Sequence, residues 1–367
     1  AIADETGWPR ATVSVAIALF VLGNAAWAPI VGWLIQRIGT RWLMPPAAVM
    51  LALGLFVLGL VRSPVELGLT VLLLLPPGAL GAGSLATYAS VQGWFERRRG
   101  TALALADAGS ALSGLIVVPF VAWLIDRGGW RVGYQGLAVV ALAFALAHLA
   151  LQRPTPVVAG SGQAAPTRAL TSMQLLRAPA FWLIGLGLAL SWFALQVVGL
   201  HQAACLTDAG FTTGAVATAV ALTGGVSLFG RLGFGALSDR IGTARSFTLV
   251  TTCLVLGVGC LVAAGESGQV LPLWLFGVVF GLGFGVGTLL FVRRTADLFG
   301  SRGFGTAWGL AYLCASLGGA SGAAAGGLLG EATGSYLIAF ALAAGAFVAS
   351  CACMWAVGRH GAAGETR

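Results

Sequence analysis

Two ionisable residues of this 367-residue chain, Asp107 and Arg231, sit well inside long apolar stretches. A charge in such a place is expensive unless it faces a partner, a cavity or water, so it marks a ligand or ion pathway. Arginine stays protonated, and its planar fork can hold a carboxylate through two parallel hydrogen bonds. A carboxyl group is its natural counter-charge and can take up a proton. The chemistry on offer is anion binding and proton exchange, with no bond made or broken. The bland alternatives are a static ion pair, or an arginine whose head reaches back to the surface. Asp107 lies seven residues past Gly100, and Arg231 eight before Asp239. Helical rise then puts both roughly 10–12 Å in from one membrane surface.

Other chemistries find few residues. With six cysteines and no CxxC, the thiols read as small buried hydrophobes. Three scattered histidines offer no metal site. All 20 basic residues are arginine, so the lysine of a G-x-x-x-x-G-K phosphate loop is missing and no ATPase is expected. A membrane enzyme would need clustered acids and histidines; the 12 acidic residues fall mostly in loops. No cofactor is expected.

The elements that must hold these charges follow from composition. The chain is 58% hydrophobic, 9% charged and has a mean hydropathy of +0.92, whereas soluble domains carry about 25% charge. Lipid must be its solvent. Eleven stretches are long enough to cross it: 11–35, 42–61, 66–95, 101–125, 132–151, 180–204, 213–237, 246–264, 270–292, 304–329 and 334–357. Little chain remains for a soluble domain. The longest connection contains Pro, Gly, Ser and Ala without apolar period, and reads as a linker over 153–177. Taking alternate loops together, fifteen arginines lie on one side and four on the other, which makes the first side, with the C-terminus, cytoplasmic. The net charge of +8 is explained by these loops and not by nucleic acid.

An internal repeat is visible. Gly32-Trp33-Leu34-Ile35-Gln36-Arg37-Ile38-Gly39 and Gly235-Ala236-Leu237-Ser238-Asp239-Arg240-Ile241-Gly242 both fit G-x-L-x-x-R-x-G, 203 residues apart. Gly7-Trp8 falls on Gly210-Phe211 at the same offset. Repeats of this kind mark transporter folds. The span at 180–204 has no counterpart, since its partner would precede residue 1. The expectation is a twelve-helix protein in two halves of six, with the first helix missing and eleven spans visible. Glycine runs at 277–287 and 318–327 read as close helix packing, and Pro76-Pro77 as a kink.

The two loops resemble the signature of the major facilitator superfamily, where they follow helices 2 and 8. The first copy departs from it, with Gln36 in place of the usual Asp. Tyr88-Ala89-Ser90 with Trp94-Phe95-Glu96-Arg97-Arg98-Arg99-Gly100-Thr101-Ala102 is similar to the helix 4–5 signature of monocarboxylate-transporter-like members. Gly129-Trp130-Arg131, Ala178-Pro179-Ala180-Phe181-Trp182, Gly7-Trp8-Pro9-Arg10 and Thr333-Gly334-Ser335-Tyr336 fit the same branch, which includes oxalate–formate exchangers.

The resemblance implies an all-α polytopic major facilitator fold. Its N-terminal half is 1–152, its linker 153–177 and its C-terminal half 178–367. The implied function is secondary transport of a small organic anion, a monocarboxylate first, by alternating access with proton coupling or exchange. The other reading is an exporter of a drug or other metabolite. Arg231 falls where monocarboxylate-type members carry a carboxylate-binding arginine. Asp107 would pair with it when the site is empty and couple protons. Tyr88, Gln196, Tyr312 and Asn24 are further substrate candidates, His201 a second proton-coupling one. Gln92 stands beside them as a polar group in a span. Gly32, Arg37, Gly39, Arg41, Gly235, Asp239, Arg240 and Gly242 would gate the halves. Arg97, Arg98 and Arg99 read as topology charges. Ser227 replaces an acid one turn before Arg231, and absent lysine removes other family charges. The expected setting is a monomer in the inner membrane of a bacterium.

Overall fold

The computed structural model of the chain describes residues 6–95, 98–153 and 172–364. Most of the expected linker, and Arg97, Arg168 and Arg367, lie outside them. The regular elements among the described residues are all helices. They are α1 Arg10–Ile38, α2 Thr40–Leu58, α3 Pro64–Leu69, α4 Leu75–Ala82, α5 Ser84–Trp94, α6 Arg99–Leu151, α7 Ser172–Arg177, α8 Pro179–Asp208, α9 Thr213–Ile241, α10 Thr243–Ser267, α11 Val270–Gly283, α12 Val286–Thr333 and α13 Leu337–Gly364. Ten helical stretches are long and apolar enough to cross a membrane. One of them, α6, is two helices joined at Gly129 (φ +77°). The described residues therefore supply one helix for each of the eleven expected spans.

Glycine conformation confirms the repeat in the backbone. Gly7 and Gly210 have φ of +68° and +88°, and Gly39 and Gly242 have +78° and +89°. Each pair is 203 residues apart, and each turns the chain where an L side chain is disfavoured.

The chain forms two compact units. The first comprises Ala1–Trp94, Leu112–Ser172 and Phe299–Leu313, and the second Phe95–Ala111, Met173–Leu298 and Cys314–Arg367. In the first, α2 packs on α4, and α1 on α4 and on the turn before it. Ala16, Leu58, Val61, Leu67, Val71 and Leu75 form a buried cluster there. In the second, α8 packs on α13 and α11 lies against α9 and α10. Phe247, Phe276, Phe280, Phe291, Phe340 and Phe347 are fully buried in it. Leu105, Val139, Leu151 and Phe229 are among many large apolar residues left exposed. Lipid accepts such faces, so the amphipathic pattern of soluble helices is not required.

Two corresponding helices are broken. The stretch 64–94 passes through a π turn at Thr70–Leu74, just before Pro76-Pro77, and breaks again at Gly83. Leu75 donates back to the Thr70 carbonyl, which is how the backbone accommodates the two prolines. In the second unit α11 ends at Gly283 and α12 begins at Val286. Phe284 (φ −64°, ψ 123°) and Gly285 (φ +79°, ψ −14°) take the dihedrals of a type II turn between them. The repeat offset carries Gly83 to Val286, one residue from Gly285.

Candidate functional site

The second unit brings the two intramembrane charges together. Asp107 comes from the first turns of α6 and Arg231 from the middle of α9. Arg231 Nη1 donates to the Asp107 carboxylate and to Ser110 Oγ at 2.7 Å. Ser110 Oγ itself donates to the Asp107 carbonyl at 2.8 Å. The side chains keep 12% and 9% of their exposure, so the pair is largely desolvated. Arg231 Nε is buried without a hydrogen-bond partner among the described residues.

Close approach of α6 and α9 makes this pairing possible. A Cβ on Gly235 would lie 2.8 Å from the Gly100 carbonyl oxygen and would strike Ala104. Two turns from the ion pair, the same helices are tied at their ends. Asp239 accepts from the Gly100 amide at 3.0 Å, and from the Thr101 amide and hydroxyl at 2.9 and 2.8 Å. It caps the α6 N-terminus, whose amides have no intrahelical acceptor and favour negative charge. Arg293 donates to Asp239 at 2.6 Å and to Ser238 at 2.7 Å. Arg99 pairs with Asp297 at 3.0 Å. Arg240 is exposed and outside this network, and Gly242 makes the turn after α9.

In the first unit the matching loop has Gln36 in place of the acid. A Cβ on Gly32 would lie 3.1 Å from Gly309 Cα and would strike the Gly305 carbonyl. Gln36 accepts from the Thr306 hydroxyl. Arg37 and Arg41 lie over the rings of Trp33 and Trp42, 5.1 and 5.5 Å from their centroids. Gly39 makes the turn that starts α2.

The remaining candidates are dispersed. Asn24 donates to the Phe20 carbonyl of its own helix at 2.9 Å. Tyr88 is buried, edge-on to Trp308 at 6.4 Å. Tyr312, one turn beyond Trp308, is half-buried. These three belong to the first unit. Gln92, also there, is buried with neither amide atom partnered among the described residues. In the second unit Gln196 lies beside Gly319. His201 meets the Val197 carbonyl at 3.0 Å and the ring of Tyr336 at 5.5 Å. Ser227 donates to the Gly224 carbonyl at 2.7 Å.

Three residues of this site escaped the sequence reading. Ser110 is one turn after Asp107 and was traceable by spacing. Arg293 is one of the fifteen loop arginines of one side, and nothing in its spacing singles it out. Gly285 was one glycine in a run of five.

Comparison with known proteins decides the family. The family model described as Major Facilitator Superfamily matches residues 1–320. The chain belongs to the major facilitator superfamily. Monocarboxylate transporter 11 of Mus musculus is 30% identical over 92% of this chain and 75% of its own. The MFS transporter asaE of Aspergillus flavus is 28% identical over 89% of this chain and 72% of its own. The proton:xylose symporter XylE, solved with 6-bromo-6-deoxy-D-glucose, superposes with a TM-score of 0.73 at 14% identity, covering 94% and 85% of the two chains. That last likeness concerns the fold alone. This superfamily member is accordingly a multi-pass integral membrane transporter of small solutes and not an enzyme.

Proposed function

We propose that the chain carries a small organic anion, a monocarboxylate, with Arg231 as the residue that takes the carboxylate. The buried Arg231–Asp107 pair supports this reading most directly. Asp107 holds the guanidinium while no substrate is present, which avoids an uncompensated buried charge. An arriving carboxylate takes over the fork. Asp107, freed, picks up a proton, and proton movement is thereby coupled to the anion. Halves 1–152 and 178–367, joined by 153–177, rock about the site as a monomer in a bacterial inner membrane, with the C-terminus and the Asp239 cap on the cytoplasmic side. The cap on Gly100 and Thr101, with Gly235 beneath it, holds one face shut and opens in the alternate state. That the relatives include a monocarboxylate transporter agrees with this reading.

The test is uptake into proteoliposomes of labelled pyruvate, lactate, oxalate and formate, with and without an inward proton gradient. Saturable uptake of one of them is expected, abolished in Arg231→Ala and made independent of the gradient in Asp107→Asn. Full uptake by Arg231→Ala sinks the anion site. Failure to carry any of the four acids favours the exporter of a drug or other metabolite.

A further inference from the structure

We propose that Gly285 is a positioning residue for Arg231, and that the break in the helix exists in this form to hold the guanidinium in register. The proposal rests on the reading of Arg231 as the carboxylate-binding residue.

Five glycines line this stretch, and four face neighbouring apolar groups or backbone. Added Cβ atoms on Gly277 and Gly281 would meet the backbone of α9 at 3.2 and 2.9 Å, at Ala219 and Thr223. One on Gly283 would lie 2.7 Å from Leu254, and one on Gly287 3.3 Å from Phe247. Gly285 differs from all of them. The space its side chain would take is filled by the Arg231 guanidinium, with Cζ at 2.8 Å, Nε at 3.0 Å and Nη2 closer still. Its φ of +79° is also one that L side chains rarely adopt.

The register is set one residue earlier. A Cβ on Gly230 would lie 2.7 Å from the Leu282 carbonyl carbon and 3.0 Å from its Cα. The α9 backbone thus rests directly on the last turn of α11. Arg231 follows Gly230 and Gly285 lies three residues beyond Leu282, so this contact delivers the guanidinium to the turn. On its other side Arg231 is held by Asp107 and Ser110. A side chain at 285 would push the fork out of a place fixed from both sides. At the corresponding break, Gly83, an added Cβ would meet only the Ala79 carbonyl of its own helix among the described residues. The break belongs to the repeat, and among the described residues it meets an arginine in the second unit and not in the first.

The test is a thermal double-mutant cycle on the purified full chain, joined to transport kinetics. Gly285→Ala should lower the melting temperature by several degrees, and by less than half as much when Arg231 is already alanine. Gly285→Asn tolerates left-handed backbone but carries a Cβ. It should raise the KM for labelled pyruvate about tenfold while keeping Vmax, since small displacements of a binding group weaken its use. Equal melting losses in both backgrounds overturn the proposal. So does an unchanged KM in a folded Gly285→Asn. Failure of the anion reading looks different: Arg231→Ala would then carry pyruvate like wild type while the thermal coupling persisted.

Discussion

Arg231 bonds the Asp107 carboxylate through Nη1, and the two residues sit on helices whose ends are tied by Asp239. Eight residues separate Arg231 from Asp239 on α9, and seven separate Gly100 from Asp107 on α6. The ion pair and the cap are thus two rungs of one helix pair, with Gly235 against Gly100 between them. Anything that parts these helices must loosen both rungs.

Truncating one partner of the buried pair should cost more than removing both. Asp107→Ala leaves a guanidinium with about a tenth of its side chain exposed and no carboxylate. The expected loss is about 3–5 kcal/mol. The double variant Asp107→Ala, Arg231→Met removes the stranded charge and should recover most of it. Melting in detergent of the two singles and the double decides this, and additive losses would contradict it.

The cap should depend on charge. Asp239→Asn presents an amide group to two backbone N–H donors and to Arg293. Hydrogen bonds to a charged group contribute roughly 1.5–3 kcal/mol, and a loss of that size is expected in melting. In transport, the variant should show faster exposure of a cysteine placed near Gly100 to a membrane-impermeant thiol reagent. Unchanged labelling would separate the cap from gating.

Much of this was legible in the sequence, for reasons that can be named. Lipid as solvent writes each span as a long apolar run, so the eleven spans could be read directly. The repeat exposed the paired loops, because a tight turn after a helix needs glycine at the same place in each copy, as at Gly39 and Gly242. The Asp107–Arg231 pairing was approachable from matching depth taken together with the family resemblance. Gly285 was not, since five glycines in one run look alike, and only the backbone shows which of them turns left-handed and only the packing shows which one faces Arg231. Arg37 and Arg41 illustrate a second limit. With Gln36 where the second copy has an acid, they stand over tryptophan rings, and residue type alone did not tell that partner from a carboxylate.

The first unit's loop, with Gln36 where the second has Asp239, should matter less than its acid-bearing counterpart. Gln36 accepts one hydroxyl bond, from Thr306, and a neutral hydrogen bond contributes about 1 kcal/mol. Gln36→Ala should therefore cost well under half of what Asp239→Ala costs. Its melting temperature should also be insensitive to salt, whereas that of the Asp239 variant series should shift with ionic strength. Equal losses at the two sites would show that the repeat's two loops share one function despite their chemistry.

Arg98 offers a stabilising substitution. Its φ of +60° is the one positive value on a non-glycine residue among the described residues. Left-handed backbone costs an L residue about 1–2 kcal/mol, and here it immediately precedes the helix whose Gly100 and Thr101 amides Asp239 caps. The cap holds the strained residue in place. Arg98→Gly removes the strain but loosens the unfolded chain, so the net gain should be near 1 kcal/mol. Melting should rise in the wild-type background and rise less in Asp239→Asn, where the weakened cap no longer holds Arg98 in the strained conformation. A fall in both backgrounds would mean that the Arg98 side chain contributes more than its backbone costs.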